Sequence, residues 1–136
     1  MIDPDTLGLV VHHLGIACRD LAAVRRFVEA THTIVSATEV VHDAHQDADL
    51  CLLTDVSGLG IELVAGPIVE NLVRKGQTYY HLCYEVAALE PTIEALEALG
   101  CRLIRDPAPA PLFDGRRVCF LFSPMGIVEL LESAPA

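Results

Sequence analysis

Two periods of apolar spacing alternate along this chain. Leu9 to Cys18 reads as a strand, with Leu14, Ile16 and Cys18 on one face and His13, Gly15 and Ala17 on the other. Arg19-Asp20 ends that run. Asp20 is a good N-cap for a helix over 21–31, where Leu21, Val24, Phe27 and Val28 recur at the 3.6-residue period and are expected to form its buried face. Strands are expected at about 33–42, 48–54 and 59–65, and Gly66-Pro67 closes the set. After a linker, 67–77, the order starts again. A strand at 79–86 leads to a helix at about 91–99, with Pro91 in its first turn and Gly100 just beyond its end. Strands near 101–105, 116–122 and 126–132 complete it. Pro107-Ala108-Pro109-Ala110-Pro111 is expected to be loop, because proline lacks the amide hydrogen that a sheet interior needs. The pattern predicts one α+β domain over 1–136, built of two βαβββ modules at about 9–66 and 78–132.

The repeat extends to chemistry. His13-Leu14 in the first strand is answered by Glu62 in Gly60-Ile61-Glu62-Leu63. His81-Leu82 is answered by Glu129 in Gly126-Ile127-Val128-Glu129-Leu130. The separations are 49 and 48 positions. Duplicated units commonly pack about a pseudo-twofold axis, which carries equivalent positions toward one another. Each of the four residues alternates with large apolar neighbours, so each points away from the layer that packs under the helices. A carboxylate in an apolar run must lie beside a cation, be hydrogen-bonded, or take up a proton. Two imidazoles and two carboxylates on one concave face suit one divalent ion: Zn²⁺, Co²⁺, Ni²⁺, Mn²⁺ or Fe²⁺. The competing reading is two surface histidines and two solvated strand glutamates, and it is the repetition that favours the metal.

Composition narrows the function classes. Hydrophobic residues make up 52% of the chain and aromatic ones 5%, with no Trp, so the core must be aliphatic. The net charge of −10 and nine scattered basic residues argue against a nucleic-acid partner. They also mean that an anionic ligand would need a local basic patch. No apolar run is long enough to span a membrane and the first residues lack the pattern of a signal peptide, so the expected address is cytoplasmic. Cys18, Cys51, Cys83, Cys101 and Cys119 are odd in number and without C-x-x-C spacing. They are expected to be reduced, buried apolar residues.

The run His12-His13-Leu14-Gly15-Ile16-Ala17 followed by Asp20-Leu21 resembles the opening of the vicinal oxygen chelate superfamily. Gly60–Leu63, Tyr79–Val86, Gly115–Phe122 and Gly126–Leu131 continue the likeness over about 10–132. Among its members the chain looks most like the glyoxalase and methylmalonyl-CoA epimerase branch. The resemblance implies the glyoxalase/bleomycin resistance/dihydroxybiphenyl dioxygenase-like fold, in which paired βαβββ modules form a curved mixed sheet around a metal cavity. It implies metal ligands at His13, Glu62, His81 and Glu129, the set the repeat already selects. Extradiol dioxygenases use two histidines and one carboxylate, so two glutamates here argue against oxygen chemistry.

The reaction implied is a metal-dependent isomerisation, epimerisation or lyase step that moves a proton α to a carbonyl of a small substrate, an acyl thioester among the candidates. Glu129 is the candidate general base. Epimerases need a second acid/base; where they carry Glu before Gln this chain has His45 before Gln46, which makes His45 the second candidate. Arg116 and Arg117 follow the turn signal Asp114-Gly115 in a loop that borders the pocket in the family. They are candidates for holding a substrate anion, against the alternative of two solvated strand-end arginines. Tyr79 and Tyr80 flank the second ligand strand, and Tyr80 is the candidate substrate contact. The alternatives are a non-catalytic binding protein of the same fold and a glyoxalase I-type lyase, although no glutathione-binding set is identifiable. Open sheet edges and apolar surface would suit a homodimer.

Overall fold

The computed structural model describes residues 7–135, and its chain divides into two compact units. One is His13–Tyr80; the other comprises the described residues before His13 and after Tyr80. Nine strands occur among the described residues: β1 (Val10–Ala17), β2 (Ile34–Ala37), β3 (Val41–Asp43), β4 (Ala48–Asp55), β5 (Gly60–Ala65), β6 (Tyr79–Val86), β7 (Arg102–Pro109), β8 (Arg117–Ser123) and β9 (Gly126–Glu132). The α-helices are α1 (Leu21–Thr31), α2 (Pro67–Arg74) and α3 (Leu89–Ala98), and a short 3-10 turn covers Pro111–Phe113. None of them is long and apolar enough to cross a membrane.

In the first unit the strand order is β2-β4-β5-β1, with β3 also on β4. The first and last strands, β1 and β5, are parallel, with His13 opposite Gly60 and Gly15 opposite Glu62. The Asp20 side chain caps α1 as expected, accepting from the Ala23 amide at 3.1 Å. Beneath α1, Cys18, Val28, Cys51, Leu53, Ile61 and Leu63 form the core, with Ile16, Leu21 and Val24 packed against it. Phe27 departs from expectation: it lies one residue, roughly 100°, round the helix from buried Val28 and is 65% exposed.

The strand expected at 33–42 is split. The Thr38 carbonyl accepts from the Arg25 guanidinium, while its hydroxyl accepts from the Leu52 amide that a straight ladder would give to a carbonyl. The linker is also more ordered than expected. Pro67 opens the eight-residue helix α2, whose Val69 is buried, and Gly76 at φ 73° ends it.

The second unit repeats the plan as β6-β9-β8-β7, with β6 and β9 parallel and the other neighbours antiparallel. Val86, Leu89, Ile93, Leu96, Cys119, Leu121, Val128 and Leu130 form its core under α3. That helix begins two residues earlier than the periodicity suggests, so Pro91 falls third in its first turn. Gly100, at φ 98°, closes it with the Cys101 amide on the Leu96 carbonyl. The proline-rich stretch is not all loop. β7 includes Pro107 and Pro109, with Ala108 opposite Val118 and Pro109 opposite Arg117. It is the end strand of its unit, and the register shifts on either side of Arg105 absorb Pro107, which is where a sheet tolerates proline.

Four of the five cysteines are buried and all are free thiols. Burial pushes the Cys18 thiol up to about 11. It pushes Cys119 up to about 12, with the Glu129 carboxylate adding to the effect.

Gly66 gives the sharpest test of this backbone. Its φ is 138°, and a Cβ there would lie 2.8 Å from the Asp47 carbonyl oxygen. Gly66→Ala is expected to destabilise the chain by about 1–3 kcal/mol in urea unfolding. Gly58→Ala, at φ 92° with open space around it, is expected to cost less.

Candidate metal centre and its surroundings

Each unit contains one buried His–Glu pair, and the strand register explains both. In the first, His13 stands on β1 two residues before Gly15, the partner of Glu62 on β5. Gly15 puts no side chain between them, and His13 Nε2 lies 3.6 Å from Glu62 Oε2. In the second, His81 stands on β6 two residues before Cys83, the partner of Glu129 on β9. His81 Nε2 lies 3.1 Å from Glu129 Oε1. Separations of 49 and 48 residues thus resolve into one shared register.

The flanking residues confirm the face. Ile61 and Leu63, on either side of Glu62, belong to the core under α1, and Val128 and Leu130, on either side of Glu129, to the core under α3. The four side chains are nearly inaccessible: His13 is 0% exposed, Glu62 3%, His81 3% and Glu129 2%. An ionised carboxylate with so little water needs a cation or strong donors to offset its lost hydration. Facing an imidazole nitrogen across 3–4 Å, each carboxylate has the neighbour that a metal ligand pair has.

The sequence matches the profile of the Glyoxalase/Bleomycin resistance protein/Dioxygenase superfamily over residues 12–120. The chain belongs to this superfamily, the vicinal oxygen chelate group. Among solved structures, methylmalonyl-CoA epimerase from Mycobacterium tuberculosis is similar with a TM-score of 0.76 and 24% identity, over 92% of this chain and 88% of that one. A variant of the Streptomyces coelicolor methylmalonyl-CoA epimerase, in complex with 2-nitronate-propionyl-CoA, gives 0.69 and 23% over 92% and 97%. A variant of 4-hydroxymandelate synthase from Streptomyces coelicolor gives 0.67 and 16%, over 94% of this chain and 50% of that one. A search of curated protein sequences finds no match. An epimerase and a synthase share the superfamily scaffold, so the fold does not by itself name a reaction.

The other residues singled out from the superfamily pattern lie in different settings. His45 is exposed in the turn between β3 and β4, where its amide donates to Asp43 Oδ1 at 2.9 Å. Asp43 is 1% exposed and organises that turn. It also accepts from the Gln46 amide and side chain.

Both arginines are engaged by carboxylates. The Arg116 guanidinium donates to Glu85 and to the Glu132 carbonyl oxygen. Arg117 bridges Glu90 on α3 and Glu132 on β9. A substrate anion at either guanidinium would compete with these internal carboxylates. Tyr80 is half-buried, and alternation along β6 gives it the parity of Leu82 and Tyr84, whereas Tyr79, 76% exposed, has the parity of His81.

Phe120 is the neighbour the sequence reading overlooked. It pairs with Glu129 across β8 and β9, and its ring meets the His81 ring edge-on at 5.5 Å and 86°. The signal was present: the hairpin closes at Ser123 and Gly126 around Pro124-Met125, and counting back from that turn sets Phe120 opposite Glu129.

Hydrogen bonds from Arg117 hold the carboxyl groups of Glu90 and Glu132 below the usual carboxylate range. The folded chain therefore keeps them ionised at a pH where the unfolded chain has taken up protons. Their contribution is complete above the ordinary carboxylate pKa and is lost as pH falls through the depressed values. Between about pH 5 and pH 3, the Tm of wild type is expected to fall more steeply than that of Arg117→Gln. The pair sits at the surface, so high salt is expected to narrow the difference.

Proposed function

We propose that this chain is a metal-dependent enzyme that moves a proton α to a carbonyl of a small substrate, as an isomerase, epimerase or lyase of the methylmalonyl-CoA epimerase-like type. In this reading His13, Glu62, His81 and Glu129 hold one divalent ion. The observation that carries it is the pair of inaccessible His–Glu contacts at equivalent register in the two modules. The donor set, two imidazole nitrogens and two carboxylate oxygens, fits Zn²⁺, Co²⁺, Ni²⁺, Mn²⁺ or Fe²⁺. The likeness to epimerases solved with acyl-CoA ligands supports a thioester as the substrate class.

When bound, such an ion supplies Lewis-acid stabilisation of negative charge developing on a substrate oxygen. The chain's own part is to place the donors, exclude water and handle the proton. The four ligand side chains are already withdrawn from solvent, so they lose little hydration when the site fills. Glu129 is the proposed base: its carboxylate accepts the α-proton and returns it to a neighbouring position, or to the same carbon. A lyase or isomerase needs only this one base. An epimerase needs a second group on the opposite face of the carbon, and His45 is proposed for that role, since an imidazole can both donate and accept a proton.

Elemental analysis of protein purified without chelator is expected to find about one transition metal per chain, lost in His81→Ala. A wild type that stays empty after incubation with all five ions would sink the enzyme reading and leave a binding protein of the same fold. With metal present, Glu129→Gln is expected to slow solvent-deuterium exchange into methylmalonyl-CoA by at least about 100-fold. Exchange unchanged in His45→Ala would remove His45 from the mechanism.

A further inference from the structure

We infer that Phe120 is a positioning residue for the metal centre, holding the His81 imidazole in its ligating orientation and shielding the stem of Glu129. This rests on the metal reading above and deepens it. The strand order β6-β9-β8 places Glu129 between His81 and Phe120. Neighbouring strands lie about 4.8 Å apart, so the backbones of β6 and β8 are roughly 10 Å apart across β9. The rings of His81 and Phe120 nonetheless come within 5.5 Å of each other, centre to centre. The two side chains therefore lean toward each other over the strand that carries Glu129.

The interplanar angle of 86° is the edge-to-face geometry that aromatic quadrupoles favour. Such contact restricts rotation about the imidazole χ2 angle, which decides where Nε2 points. Nε2 is the atom that faces Glu129 Oε1. Phe120 is 8% exposed and stands directly opposite Glu129 in the ladder, so its ring covers one flank of that side chain. A ligand held in one orientation loses less freedom when an ion binds, and groups that orient ligands typically govern about 10–100-fold in metal affinity.

The test is a Co²⁺ titration followed by visible absorption, with wild type, Phe120→Leu, Phe120→Tyr and Leu96→Ala. Leu96 packs in the core under α3, so its truncation reports general destabilisation. Phe120→Leu is expected to weaken Co²⁺ binding by about tenfold. Phe120→Tyr, which keeps the ring, should remain close to wild type, and Leu96→Ala should bind Co²⁺ as wild type does despite its lower Tm. Before metal is added, the His81 imidazole resonances should broaden in Phe120→Leu and stay sharp in Phe120→Tyr. Wild-type affinity in Phe120→Leu would overturn the inference while leaving the metal site intact. Equal loss in Leu96→Ala would overturn it by tracing the effect to stability. A wild type that binds no Co²⁺ would take down the metal reading and this inference with it.

Discussion

Everything in this structure that bears on chemistry depends on a carboxylate placed beside an imidazole where water does not reach. Glu62 faces His13 and Glu129 faces His81, and all four are at most 3% exposed. Removing one partner of such a pair is strongly destabilising, by about 3–5 kcal/mol, because the other is left buried and uncompensated. A chain selected for stability alone would do as well with apolar residues at these positions. The cost is accepted twice, at the same register, and the metal proposal rests on that duplication.

The constraint propagates outward through the strands. Each pair requires the first and last strands of its module to lie parallel and adjacent, with the residue two beyond the histidine opposite the glutamate. A one-residue slip in either ladder would turn the glutamate into the helix-facing core and expose its apolar neighbours. The aliphatic layers under α1 and α3, built on Ile61 and Leu63 in one unit and Val128 and Leu130 in the other, resist that slip. Truncating a fully buried leucine such as Leu63 or Leu130 to alanine costs about 2–5 kcal/mol. The apolar neighbours of each glutamate are thus what keep its carboxylate aimed.

Much of this was legible in the residues. The period switches at Arg19-Asp20 and after Val86, together with the matched His and Glu spacings, located the two modules and the residues that form both pairs. What escaped was decided by contacts between segments distant in sequence. The break at Thr38 follows from Arg25, on α1, taking the Thr38 carbonyl. The exposure of Phe27 follows from which arc of α1 meets the sheet. Helix α2 has only eight residues, too few for periodicity to separate from a linker. The arginines that follow the Asp114-Gly115 turn looked available for a ligand because Glu85, Glu90 and Glu132, which engage them, come from other elements.

The prolines of β7 have an effect beyond bending their own strand. An end strand offers unpaired amides and carbonyls that can recruit a strand from another molecule, and such recruitment seeds aggregation. Pro107 and Pro109 carry no amide hydrogen, and the shifts around Arg105 spoil the straight template that an incoming strand would have to match. On this margin the chain cannot easily be extended into a larger sheet by copies of itself, at the very edge where an open sheet is most exposed to polymerisation.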